Sequence, residues 1–408
     1  IKAAGTTEMF KLTGSAALLL SNIVVDGNGM ASAFSFTGTG KNELSGVTVK
    51  NTRNGAVRNA AELTITKATF EDNVAGSAAV IENSGVIKVT DTIFNNNSSD
   101  RSVISSESDL TVAGGAFKNN TGNGSLVMSN GIVTINGTTF TGNTNMGDLI
   151  TGQSVTVNSG SFTDNTGNES VINATDSVTV QESVFHGNGT QTLIKGRDVI
   201  LNESSIYENT AMGAIASGSN RLIVVSTTIA ENSAALDLQG GDVTAVNSTI
   251  AEASGILIEG NNVQIANSIV VTKDNSDAVA GTEVAVAYSA ISGKVNTIFA
   301  DGMKSGLSYA DVFGNNTLTN GFISLPADSP AVPGVWTAVD YDSSLVYYST
   351  QPTEIWAGAY NQNTVSWNLL GYGGIGGKAD IPASAVFVKG YGGLTPNMGA
   401  YWGESWMP

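Results

Sequence analysis

The sequence predicts an all-β fold, a right-handed parallel β-helix, and three observations predict it. A phrase of about 22 residues recurs along most of the chain. Each copy carries short runs in which alternate residues are apolar, and no Pro interrupts these repeats. The phrase ends in an aromatic residue with an Asn three positions later. It reads FEDN at 70–73, FNNN at 94–97, FKNN at 117–120, FTGN at 140–143, FTDN at 162–165 and FHGN at 185–188. Variants follow as IYEN at 206–209 and IAEN at 229–232. Successive Asn residues are 24, 23, 23, 22, 23, 21 and 23 positions apart. A fixed period of this size marks a solenoid, in which one coil cannot bury its inward side chains alone but stacked coils share a core.

Each repeat supplies three apolar stretches. One precedes the aromatic: Leu63/Ile65, Ile87/Val89, Leu110/Val112, Val133/Ile135, Val155/Val157 and Val178/Val180. Its period of two is that of a half-buried strand. A second contains the aromatic. A third follows the Asn: Val80/Ile81, Val103/Ile104, Leu126/Val127, Leu149/Ile150, Val171/Ile172 and Leu193/Ile194. Three strands per coil predict a triangular solenoid. Stacking at the inter-strand spacing of ~4.8 Å would pile Phe70, Phe94, Phe117, Phe140, Phe162 and Phe185 on one another. It would also set Asn73, Asn97, Asn120, Asn143, Asn165, Asn188, Asn209 and Asn232 in a ladder whose side chains bond the next coil, since buried amides need partners. Leucine-rich repeats and propeller blades fit less well, the first for want of a Leu framework, the second because a blade is about twice as long.

The repeated FxxN, with Gly114-Gly115-Ala116, resembles the passenger repeats of polymorphic outer-membrane proteins and related autotransporter adhesins. More broadly, the chain is similar to secreted bacterial right-handed β-helix repeat proteins. Asp328-Ser329-Pro330-Ala331-Val332-Pro333-Gly334 and Asn397-Met398-Gly399-Ala400-Tyr401 look like the phrases that close such solenoids. The resemblance implies a secreted or cell-surface location.

Composition agrees. The 408 residues include 48 Gly, one His and no Cys, and only 13% are charged. That excludes a disulfide scaffold and a thiol metal site. A net charge of −17 disfavours nucleic acid and anionic membranes. No run reaches the ~18 apolar residues that span a bilayer. The character changes near residue 280. All 7 Pro and all 5 Trp lie beyond it. The expected organisation is a solenoid over 1–280, then last coils and a cap or binding region over 281–408. In that region Trp336, Trp356 and Trp367 are candidate ligand platforms, for glycans above all.

Chemistry is sparse. A lyase would need a basic catalytic residue beside an acidic calcium cluster, and the 18 basic residues are scattered. The single His, His186, follows an inward Phe and should face outward. Glu208, Glu231 and Glu252 each stand two residues after the inward aromatic or Ile. As a row at ~5 Å spacing they could recruit a cation such as calcium, or serve as a glycosidase pair. Outward Thr64, Thr111, Thr134, Thr156 and Thr179 form a Thr row broken by Lys88. The expectation is therefore a structural or adhesive surface protein without a cofactor, with a carbohydrate-active enzyme as the alternative. The first strands begin near Met9, leaving no evident cap. That points to another subunit, or an upstream piece of the same precursor, seated on the first coil.

Overall fold

The computed structural model describes residues 1–331, apart from 168, 253, 267, 288, 302, 322, 327 and 328, and beyond them only short strands at 347–348, 355–356, 358–361, 366–369 and 385–387. The chain divides into two units, Ile1–Arg197 and Asp198–Pro408. Each is built of stacked parallel coils.

In the first unit the aromatic stretches form one parallel sheet, from Val24–Asp26 through Thr69–Glu71, Ile93–Asn95, Ala116–Lys118, Thr139–Thr141 and Ser161–Thr163 to Val184–His186. The register sets Phe70, Phe94, Phe117, Phe140, Phe162 and Phe185 opposite one another. Their ring centroids are 4.5–5.1 Å apart and their planes within 4–11° of parallel. The residue two after each Phe has a left-handed backbone: Asp72, Asn96, Asn119, Gly142, Asp164 and Gly187. Only Gly, Asn and Asp tolerate that conformation cheaply, which explains the composition of the phrase. This turn swings the following Asn inward, and the ladder forms. Asn120 accepts from the Asn97 backbone N–H at 3.0 Å and from its amide at 2.9 Å, and donates to Phe94 O and to Asn143 Oδ1.

The predicted triangle is revised in two ways. The stretch after the Asn and the stretch before the aromatic share one broad sheet. They are separate strands at Ile81–Asn83 and Ile87–Thr90, but fuse into Ile150–Asn158, where the turn between them shortens at Gly152, and stay fused in Ser170–Gln181, which pairs with it through a register shift between Gly152 and Ser154. The remaining side is a column of two-residue strands just after the Asn: Ser98–Ser99, Thr121–Gly122, Thr144–Asn145, Thr166–Gly167 and Gly189–Thr190. They are too short and polar to leave a period-two signal. A second amide ladder closes a corner of the early coils: Asn42 donates to Asn59 Oδ1 at 2.8 Å and Asn59 to Asn83 Oδ1 at 2.6 Å.

Gly115 shows how tightly the coils approach. Its φ is +72°, and a Cβ there would lie 2.1 Å from Thr92 O. Gly115→Ala should therefore lose about 1–3 kcal/mol from the backbone conformation alone, before the clash is relieved. An unchanged thermal midpoint would show that this turn can be rebuilt.

In the second unit the broad sheet runs through Ala214–Val225, Leu236–Val246, Ile258–Ala266, Val279–Ala287 and Phe299–Asp301. The other sheet runs from Ser205–Tyr207 through Thr249–Glu252 to Lys304–Ser305. Hydroxyls take over a corner here. The Ser204 amide donates to Thr227 Oγ1, Thr227 to Ser248 Oγ, Ser248 to Ser268 Oγ and Ser268 to Ser289 Oγ. The outward positions turn apolar: Val225, Val246 and Ala266 on one sheet, Ala230, Ala251 and Val271 on the other. The chain covers them itself. A short helix, Tyr309–Phe313, starts at Ser308 with a reciprocal capping box to Asp311. Its Tyr309, Val312 and Phe313, with Ile323 and Ala331, bury this flank. Coils thus continue past residue 280, and the described part of the following region packs along a flank of the coils.

Candidate functional site

Three groups of carboxylates bear on a candidate site: those in exposed turns, those lining two shallow grooves and those in the sealed interior. Glu208 and Glu231 take the turn setting, at the left-handed position before a ladder Asn. Glu231 Oε2 pairs with Lys273 Nζ at 2.8 Å. Lys273 also lies 5.5 Å from the centre of the Tyr309 ring. Burial and, after it, Glu231 push the Tyr309 hydroxyl up to about 12. Glu252 departs from the expected row. No Asn follows it, its backbone is not left-handed, and its side chain turns inward to 4% exposure. The reason is the ladder. Asn209 hands on to Asn232, whose amide donates to Glu252 Oε1 at 3.0 Å, so Glu252 fills the place of the next Asn. Among the described residues no group of three or more Asp, Glu or His could hold a metal ion. The cation row expected from Glu208, Glu231 and Glu252 is thus not assembled.

Facing Glu252 inside the same coil is a residue that the sequence reading missed, Asp237. It is 3% exposed. It occupies a column in which the register places Ile215 and Leu257 on the coils to either side. Its Oδ2 and Glu252 Oε2 are both buried without a hydrogen-bond partner. Burial holds both carboxyls well above the ordinary carboxylate range, and for Glu252 the neighbouring Asp237 adds to it. The signal was present as a break in the apolar pair after the Asn, since Asp237-Leu238 stands where Leu193-Ile194 stands two coils earlier.

Two grooves open on the described surface. One, of about 420 Å³, lies over Gly240, Gly260 and Gly281 and is lined by Gln239, Glu259 and Asn261. Glu259 is its one carboxylate. The other, of about 450 Å³, is lined by Lys2, Asp26, Asn51, Arg53 and Asp72. The Asn28 backbone N–H beside Asp26 holds that carboxyl below its usual range, with the Asn51 amide in support. Asp26 is therefore an anion fixed by donors and poorly suited to give up a proton. His186 ends its strand on the outward side and is half-buried. Thr64, Lys88, Thr111, Thr134, Thr156 and Thr179 lie in register on the outer face of the broad sheet.

Of the three candidate Trp residues, Trp356 and Trp367 belong to short strands in antiparallel pairs, opposite Tyr347 and Tyr360. Trp336 lies outside the described residues, as do most of the two closing phrases near 328–334 and 397–401. Among the described residues no helix is long and apolar enough to cross a membrane.

No curated protein and no solved structure matches this sequence. The family described as the right handed beta helix region matches over residues 10–162 and again over 149–293. The match is to the fold and does not reach the narrower group of polymorphic outer-membrane proteins and autotransporter passengers. With stacked parallel coils, an aromatic column from Phe70 to Phe185 and an amide ladder that begins at Asn73, the chain belongs to the right-handed β-helix family.

Proposed function

We propose that this β-helix is an extracellular scaffold, structural or adhesive, comparable in use to a surface stalk, fibre subunit or passenger domain. The observation that carries the reading is where the perturbed acids sit. Acid–base catalysis needs a carboxyl held near neutrality and open to substrate. Burial raises Asp237 and Glu252 far above the ordinary range, but at 3% and 4% exposure they are closed to substrate. Asp148, half-buried and also raised by burial, has both oxygens engaged, one by the Ser170 backbone N–H and the other by the Asn173 amide. The outer face of the broad sheet in the first unit instead presents Thr64, Thr111, Thr134, Thr156 and Thr179 in register, broken by Lys88, a surface suited to repeated contacts with glycans or other protein subunits. A retaining or inverting glycosidase needs a carboxylic acid and a carboxylate across a bound sugar; the groove over Gly240 offers Glu259 alone, and in the groove that holds Asp26 and Asp72 the donors around Asp26 keep that carboxyl ionised.

The test is direct. Incubated with neutral and uronic-acid polysaccharides, the wild-type chain should release neither reducing ends nor unsaturated sugars. Product formed by the wild type and lost in Glu231→Gln or Glu259→Gln would overturn the scaffold reading in favour of a carbohydrate-active enzyme.

A further inference from the structure

We infer that Asp237 and Glu252 form an internal proton store: the coils around residues 228–272 close with both carboxyls protonated, so this segment takes up about two protons as it folds and is favoured by acid. The geometry supports this independently of any titration. Both side chains point into a core otherwise lined by groups such as Ile215, Ile229, Ile250 and Leu257, all at most 2% exposed. Each has one oxygen with no donor. Two carboxylate anions here would lack both water and a counter-charge. A proton on each removes the charge.

The surroundings supply no other remedy. Glu252 faces Asp237 and, from the preceding turn, Glu231. Lys273, which follows the next strand, is engaged by Glu231. Tyr309, on the covering helix, is itself held neutral. Among the described residues the donors to the pair come from Asn232, through its side-chain amide on Oε1 of Glu252 and its backbone N–H.

The sign follows from linkage. Both carboxyls are raised in the folded state by burial. Their contribution is therefore fully present below the unfolded carboxylate range, near pH 4. It is lost as pH rises from there through the folded values. While the folded pair stays protonated and the opened pair ionises, each proton changes the opening equilibrium about ten-fold per pH unit. Two protons give about 100-fold per unit, or ~10⁴-fold between pH 5 and 7.

Hydrogen exchange of the full chain reads this directly. The Leu238 amide, bonded to Leu257 O, reports on the pair, and the Val127 amide, bonded to Leu149 O, is the internal reference. After correction for intrinsic rates, opening at Leu238 should rise about 100-fold per pH unit in the wild type, while Val127 lacks this excess slope. Asp237→Asn/Glu252→Gln should flatten the Leu238 slope. Glu252→Gln alone keeps the acceptor for Asn232 and should reduce the slope to about ten-fold, so the inference stays testable if the double variant does not fold. Equal slopes in wild type and Glu252→Gln would overturn it. So would protection of Leu238 by millimolar calcium at pH 8 in the wild type alone, which would mean that the pair holds a cation in place of protons.

Discussion

Phe117→Ala should destabilise the first unit by about 3–5 kcal/mol, the range for a buried aromatic truncated where the surroundings cannot collapse. Phe117 is 0% exposed and sits in the middle of the column, 4.5 Å from Phe94 and 4.8 Å from Phe140, ring centre to ring centre. Collapse is obstructed because every neighbour is pinned in register by its own strand, Phe94 and Phe140 included. Two near-parallel ring contacts vanish with the side chain, beyond the area lost from burial. The measurement is denaturant unfolding followed in the first unit. A midpoint unmoved from wild type would mean that the column contributes little and that the ladder and sheet bonds alone hold the coils.

Removing one rung of the ladder should be comparable in size and different in its response to acid. Asn120 is 0% exposed and uses both ends of its amide. Asn120→Ala leaves the Asn97 N–H and the Phe94 carbonyl without this partner, and the Asn97 amide with Phe70 O as its remaining acceptor. Each buried orphan costs about 1–3 kcal/mol, so a loss of about 3–5 kcal/mol is expected. Asn120→Asp keeps the shape but turns the donating end into an acceptor facing Phe94 O and Asn143 Oδ1, both acceptors. The new carboxyl should be pushed up in the folded state. Its protonated form can donate again, so stability should be best below the unfolded range near pH 4 and fall as pH rises through the folded value. Stability curves at pH 4 and pH 7 check this. An aspartate tolerated equally at both would show that water reaches the ladder.

These two substitutions concern features legible in the linear chain. The spacing of FEDN, FNNN and FKNN determined the period, the inward Phe and the inward Asn, because a solenoid repeats one local solution and writes it into the sequence at each coil. The left-handed residue between them came only with the structure: it is Asp, Asn or Gly beside each Phe of the column, but Glu208 and Glu231 take it in the variant copies. What the sequence could not carry is whatever depends on two coils or two sheets at once. The column of two-residue strands leaves no periodic trace, being shorter than its own signal. Fusion of two strands at Gly152 follows from a turn losing its length, and the approach of Val133 Cγ2 to within 2.9 Å of the glycine's missing Cβ shows why no side chain stands there.

Glu252 makes the same division at one residue. By spacing it belongs with Glu208 and Glu231 in a solvated row. Only the folded chain shows that Asn232 needs an acceptor there and that no Asn follows to provide it, so the longer acid is drawn inside to fill the place. Its partner Asp237 reads in sequence as a single polar lapse in an apolar pair. That the two lapses face each other in one core was decided by the tertiary structure, because the chain brings residues fifteen positions apart to one corner only after the coil between them has closed.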